Sequence, residues 1–192
     1  MRRRIKLNSS DLKKICAQEA LKYIKNGIEV IHTCSVDKLD VAFDGCDEVD
    51  EELNAIKSGG GIHTKEKLIV AMSDDYILLV DNTKFVKTLT FKYPVVLEIL
   101  EDSLKYVERS VVELGGKPTI RNSTAKDGFT ISDNGNLLMD VMFYNVQDIY
   151  ELQNRLRDIC GVIDTSLFTN GVTKVVVASS SGVKVISKKK II

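Results

Sequence analysis

Val41–Lys67 reads VAFDGCDEVDEELNAIKSGGGIHTKEK. The apolar triplet Val41-Ala42-Phe43 is a short β-type run that delivers Asp44-Gly45, a carboxylate and a turn, at its end. The next apolar run of buried-strand type, Tyr76–Val80, also ends in aspartate, Asp81. Between them, Ile62–Ala71 has the spacing of a helix, with Glu66 near its front. Strands that end in Asp and alternate with helices predict a parallel sheet, and the ligands of such sheets gather beyond the carboxyl ends of the strands.

Outward from this window, Ser9-Ser10-Asp11 is an N-cap signal for a helix that carries Leu12, Ile15, Cys16, Ala20, Tyr23 and Ile24 near one face and stops at Asn26-Gly27. Ile28–Thr33 reads as a short strand. The character changes at Tyr93-Pro94. Val95–Leu100 reads as a strand, and Asp102–Leu114 as an amphipathic helix closed by Gly115-Gly116. Asn134-Gly135 is a hairpin signal between Phe129–Ser132 and Leu137–Phe143. Gln147–Cys160 reads as a helix and Gly161–Phe168 as a strand. That order, strand, helix, hairpin, helix, strand, is a split βαβ unit. Val172–Ala178 and Val183–Ile186 form a further hairpin about Ser181-Gly182. The expected organisation is an α/β domain made of residues 1–90 and 170–192, with a small α+β domain, 91–169, set into it.

Lys plus Arg and Asp plus Glu are both 27, for a net charge of zero, which argues against a broad nucleic-acid face. The basic runs Arg2-Arg3-Arg4 and Lys188-Lys189-Lys190 are terminal and read as solvated tails. Cys16, Cys34, Cys46 and Cys160 form no C-x-x-C pair and the two histidines lie far from ligand spacing, so no metal site is expected. Scattered cysteines without an export signal suggest a reducing cytoplasm, and no apolar run approaches the roughly 20 residues of a membrane helix.

The chemistry is concentrated in the opening window. The acidic run Asp44–Glu52 does not have EF-hand spacing. Glu51 and Glu52 read as a solvated face, whereas Asp44 and Asp47 follow a strand end and read as cleft-facing. Gly59-Gly60-Gly61 is either a tight turn or a stretch of bare N–H groups that cradles an anion or an oxyanion; Lys57 before it and Glu66 after it favour the second. The spacing is neither that of a P-loop nor that of a dinucleotide fingerprint. Glu66 is either an exposed charge or a proton shuttle of the kind aldose–ketose isomerisation needs: a base beside a carbonyl whose oxygens are held by donors. His63 is either an acid–base group or, lacking a visible partner, a surface or packing residue, the second being the commoner fate. Lys84, after the second strand end, either reaches the same crevice or lies in an exposed loop.

Phe43–Lys67 closely resembles the active-site segment of ribose-5-phosphate isomerase of the A type, with its D-G-A-D-E loop, lysine–polyglycine stretch and R/K-E-K triplet. The likeness extends to Ser10–Ile24, Val80–Lys84, Leu114–Pro118, Ser132–Asp140, Gly161–Phe168 and Ser181–Lys188. It implies a Rossmann-like sheet domain with an inserted ferredoxin-like α+β domain, and interconversion of D-ribose 5-phosphate and D-ribulose 5-phosphate in the pentose phosphate pathway. The resemblance makes Glu66 the base, gives Asp44 ring opening and the hydroxyl proton, and puts Asp47 in the same pocket. It further gives Lys57 with the amides of Gly59, Gly60 and Gly61 the enediolate, and Lys84 and Lys13 the substrate or its phosphate. It implies no metal or organic cofactor, a cytoplasmic homodimer or homotetramer, and no nucleic-acid or membrane partner. Two departures stand out. Cys46 and Ser58 replace an alanine and a glycine of the family pattern. The family's G-x-G-T-G-S-T phosphate loop is absent, and Lys22–Asn26 runs straight into Gly27-Ile28-Glu29-Val30. This reads as an internal deletion that truncates the sheet and weakens phosphate binding. The alternative is a non-catalytic sugar-phosphate-binding or interaction module.

Overall fold

The computed structural model describes residues 8–24, 32–124 and 127–188. The expected strand at Ile28–Thr33 and the fusion at Lys22–Val30 therefore lie largely outside the described residues, as do the Arg2–Arg4 run and Lys189-Lys190. In chain order the elements are α1 (Ser9–Ala20), β1 (Leu39–Asp44), β2 (Glu48–Val49), β3 (Ala55–Ile56), α2 (His63–Met72), β4 (Ser73–Asp81) and β5 (Val95–Ile99), followed by α3 (Leu104–Glu113), β6 (Lys117–Ile120), β7 (Leu137–Met142), α4 (Ile149–Arg157), β8 (Val162–Thr165), β9 (Leu167–Phe168), β10 (Lys174–Ser179) and β11 (Gly182–Ser187).

The main sheet has the order β1-β4-β10-β11, with β1, β4 and β10 parallel and β11 antiparallel at the edge. Both faces of its central strands are covered, which is why β4 and β10 read as unbroken apolar runs. On one face Ile77, Val176 and Ala178 pack with Cys16, Leu12 and Ile15 of α1. On the other, Tyr76, Leu78, Val80, Val175 and Val177 pack with Ile69 and Val70 of α2. Among the described residues β1 is paired on one side only.

The chain between β4 and β9 builds an antiparallel sheet of order β6-β7-β5-β8. Its core is Val95, Leu97 and Ile99 against Val107 and Val111 of α3 and Leu152 and Leu156 of α4. This is the ferredoxin-like arrangement expected for the insert. Fold class thus agrees with the sequence reading: a parallel-sheet domain interrupted by an α+β unit. A third, three-stranded sheet has the order β2-β3-β9; of its strands only β9 falls in a segment read as a strand, Gly161–Phe168.

Three local expectations change. The helix cap is Asn8, not the Ser9–Asp11 triplet: Asn8 Oδ1 accepts from Asp11 N and the Asp11 carboxylate accepts from Asn8 N, both at 3.0 Å. The helix ends earlier, passing at Leu21–Tyr23 into a 3₁₀ turn. The hairpin partner is different too. Asn134-Gly135 makes the expected tight turn, but β7 pairs along its length with β6, while Phe129–Ser132 contributes only isolated bridges.

Candidate active site

Most of the candidate site residues gather beyond the carboxyl ends of β1 and β4. Asp44 closes β1, and its Oδ1 accepts from the N–H of Gly45 at 2.7 Å, which fixes the carboxylate at the strand end. The short strand β3 returns the chain toward it and delivers Lys57, whose side chain is 5% exposed. Lys57 Nζ stands 3.0 Å from Asp44 Oδ2 and 3.1 Å from Glu66 Oε1, and it also donates to the carbonyl of Gly45. Glu66 sits in the first turn of α2 with its side chain 16% exposed. The exposed-charge reading of Glu66 is therefore excluded by its place in the fold.

Burial dominates the electrostatics of Glu66. It raises the carboxyl, Lys57 opposes it and Asp44 reinforces it, and the group is pushed up to about 7. One ammonium serves two carboxylates, and Asp44 has further donors of its own in the Gly45 N–H and the Tyr76 hydroxyl. Behind them, burial pushes the Cys46 thiol up to about 12, which keeps it a neutral packing group.

The polyglycine turn binds an anion in this structure, and the anion is its own aspartate. Asp47 Oδ2 accepts from the N–H of Ser58 at 2.6 Å and of Gly59 at 3.1 Å. On its other side Arg121 donates to the carbonyls of Ser58 at 2.9 Å and Gly59 at 3.2 Å, while its Nε lies 3.1 Å from Asp140 Oδ1. Gly61 has φ +66°, and a β-carbon there would lie 2.4 Å from Leu138 Cδ1, so the turn needs glycine at that position on two counts. Ser58 fits because its φ is not positive, and its hydroxyl donates to the carbonyl of Pro94.

Lys84 donates to the carbonyl of Cys46 at 2.7 Å, tying the loop after β4 to the loop after β1. Lys13 of α1, Asp44, Asp81 and Lys84 line one cavity of about 270 Å³, walled by Phe43 and Leu79. Its position beyond the strand ends is the one parallel topology predicts for a ligand. Asp44 belongs to both the cavity and the Lys57 cluster. Of the nine residues singled out from the sequence, the structure brings Asp44, Lys57 and Glu66 together directly. Asp44, Lys13 and Lys84 line the cavity, and Asp47 holds the turn that begins at Ser58.

His63 is fully buried, and its Nε2 lies 3.1 Å from the carbonyl of Asp164. It is a packing residue, as expected, and burial lowers it to about 4. Among the described residues no group of three or more His, Cys, Asp or Glu side chains is placed to hold a metal, and no helix is long and apolar enough to cross a membrane. Sequence reasoning missed two residues. Tyr76 donates its hydroxyl to Asp44 Oδ2 at 2.6 Å, and Arg121 clamps the glycine turn. Tyr76 was concealed in an apolar strand and Arg121 in the insert.

The sequence profile of the ribose 5-phosphate isomerase A (phosphoriboisomerase A) family matches residues 16–182. The chain belongs to that family. Ribose-5-phosphate isomerase A of Thermosynechococcus vestitus is 39% identical over 146 residues, covering 76% of this chain; the chain spans only 62% of that relative's length. Among solved structures, ribose 5-phosphate isomerase A from Methanocaldococcus jannaschii superposes with a TM-score of 0.88 at 32% identity, over 94% of this chain and all of that one. A D-ribose-5-phosphate isomerase in complex with phospho-erythronic acid gives the same TM-score at 29% identity, with the same coverage of both chains. Within the ribose 5-phosphate isomerase A family this chain therefore retains both the parallel sheet and the insert.

Proposed function

We propose that this chain interconverts D-ribose 5-phosphate and D-ribulose 5-phosphate through an enediolate. The observation that carries the reading is Lys57 Nζ, placed 3.0 Å from Asp44 and 3.1 Å from Glu66 at the mouth of the parallel sheet. In the open-chain aldose, Glu66 takes the proton from C2 while the C1 carbonyl oxygen gains charge. It returns that proton to C1 as the C2 oxygen becomes the ketone. Lys57 holds the enediolate oxygens, together with those amides of the Gly59–Gly61 segment that Asp47 does not occupy. Asp44 moves the hydroxyl proton and assists ring opening, Asp47 holds the turn, and Lys13 and Lys84 take the substrate or its phosphate. A base poised at about 7 is matched to this task, because at neutral pH it is half available and still returns the proton.

The chain has no G-x-G-T-G-S-T loop. Phosphate binding then falls to the Lys13–Lys84 cavity, and the expected cost is in KM more than in kcat. Family membership supports a homodimer or homotetramer of the pentose phosphate pathway, cytoplasmic, without a cofactor.

The test is isomerisation of ribose 5-phosphate by the wild type and by Glu66→Gln. The variant should lose about 10²–10⁴-fold in kcat and still bind the sugar phosphate. Turnover unchanged in Glu66→Gln overturns the reading, and a tight KM with strong discrimination against unphosphorylated ribose overturns the weakened phosphate site.

A further inference from the structure

Tyr76 lies on β4 opposite Ala42 of β1, in a register that also sets Leu78 opposite Asp44. Side chains two apart on a strand share a face, so Tyr76 and Asp44 point to the same side of the sheet. The tyrosine is 1% exposed, with its ring in the core beneath α2. A phenylalanine would fill that core equally well. The hydroxyl is the only part of Tyr76 that packing does not require, and burying a hydroxyl without a partner is costly. Its partner is Asp44 Oδ2, at 2.6 Å.

That oxygen is the one that also faces Lys57 at 3.0 Å, while Gly45 N–H occupies the other carboxylate oxygen. We propose that Tyr76 is a positioning residue of this site: its phenol supplies Asp44 with a fixed neutral donor, so that Asp44 does not draw Lys57 away from Glu66. Without the hydroxyl, Lys57 and the Glu66 carboxyl, itself within hydrogen-bond reach of Asp44, are the side-chain partners left to that carboxylate, and the Lys57 ammonium moves toward Asp44. Glu66 loses part of its counter-charge and faces a less compensated carboxylate. Both changes disfavour ionised Glu66.

The charged and titratable groups around Glu66 are few. Lys57 faces it from the loop after β3, Asp44 from the end of β1 and Tyr76 from β4. Cys46 and Asp47 on the turn after β1, and Lys84 after β4, lie next to these. On its own helix, Lys65 pairs with Asp133 and Lys67 with Asp164. Burial, and then the bond to Asp44, push the phenol far above its ordinary value, so it stays a donor at every working pH.

The effect on turnover rests on the isomerase reading, but the effect on Glu66 does not. The experiment is a carbon-13 titration of the Glu66 carboxyl, with labelled glutamate, in wild type and in Tyr76→Phe. The midpoint should rise by about half a unit to one unit in Tyr76→Phe. The pair Asp44→Asn and Asp44→Asn/Tyr76→Phe should titrate alike, because the hydroxyl acts only through the carboxylate. The acid limb of kcat with ribose 5-phosphate should move with the midpoint, and KM should change less than about twofold. An unchanged or lowered Glu66 midpoint, or a shift that persists without Asp44, overturns the proposal. So does loss of cooperative unfolding in Tyr76→Phe, which would make the hydroxyl a structural group. A wild type that turns over no sugar phosphate sinks the isomerase reading and leaves the Glu66 midpoints to decide the role of Tyr76.

Discussion

Two glutamates, one half-buried in the parallel-sheet part and one fully buried in the insert, have been taken in opposite directions. Glu66, at the start of α2, is pushed up to about 7. Glu98, on β5 of the insert and 1% exposed, is held down at about 2. Burial raises both. What separates them is their neighbours: an array of donors around Glu98, and a second carboxylate, Asp44, beside Glu66. Glu98 accepts from Asn136, Ser132, Asn134 and Thr64, an array that overrides its loss of water. Glu66 has one ammonium and shares it with Asp44. A saturated carboxylate is a fixed charge that organises a turn, whereas an undersatisfied one is ready to take a proton. The difference between the two acids therefore lies in their neighbours and not in the residue type.

Removing the shared ammonium attacks the comparison most directly. Lys57→Met should cost about 10²–10³-fold in kcat and raise the pH midpoint of the acid limb by more than about one unit. A pH–rate profile checks both, and an unmoved acid limb would show that Lys57 does not set Glu66.

The next largest effect is expected at the other glutamate. Glu98→Gln replaces a charged acceptor with a weaker one and should cost about 2–3 kcal/mol at pH 7, measured by urea denaturation. The folded value, about 2, lies below the ordinary 4.5. The stability Glu98 contributes is therefore fully present above 4.5 and is lost as pH falls toward 2, so the gap between wild type and variant should narrow over that window.

The smallest effect has the opposite sign. Glu66 is raised from 4.5 to about 7, so the fold keeps a proton that the unfolded chain releases. Stability is lost as pH rises from 4.5 through 7, and Glu66→Gln should unfold at a higher temperature than wild type above pH 7, with no gain below about 4.5. Each kcal/mol gained should appear as about 2–4 °C in Tm. A Glu66→Gln protein less stable than wild type at pH 8 would mean that the ion pair outweighs the burial.

Legibility followed sequence distance. Asp44, Lys57 and Glu66 lie within 23 residues in a window of alternating strand and helix signals; spacing placed Asp44 at a strand end, and the family resemblance, not spacing, chose between the two readings of Glu66. Tyr76, Arg121 and Glu98 could not be read in either way. Tyr76 sits in an apolar run where an aromatic ring signals core, and its hydroxyl acquires meaning only through the register of β1 on β4. Arg121 comes from the insert, and its use for the glycine turn depends on how the two sheets meet. The hairpin was misassigned because Asn134-Gly135 marks a tight turn without saying which segment pairs beyond it. Glu98 gathers Ser132, Asn134 and Asn136, leaving β6 as the ladder partner of β7. The β2-β3-β9 sheet, with two residues per strand, is too short to leave a periodic trace.

The docking of α2 on the insert has a consequence for the order in which the molecule comes into being. Thr64 is bound by Glu98, while His63 and Lys67 meet Asp164, about 100 positions further along the chain. On the ribosome the helix bearing Glu66 emerges long before the strand that seats it. A nascent protein stalled before β8 has made the helix that carries Glu66 without the Asp164 contacts that seat it. The seating of α2 on the insert is thus among the last contacts of the fold to form.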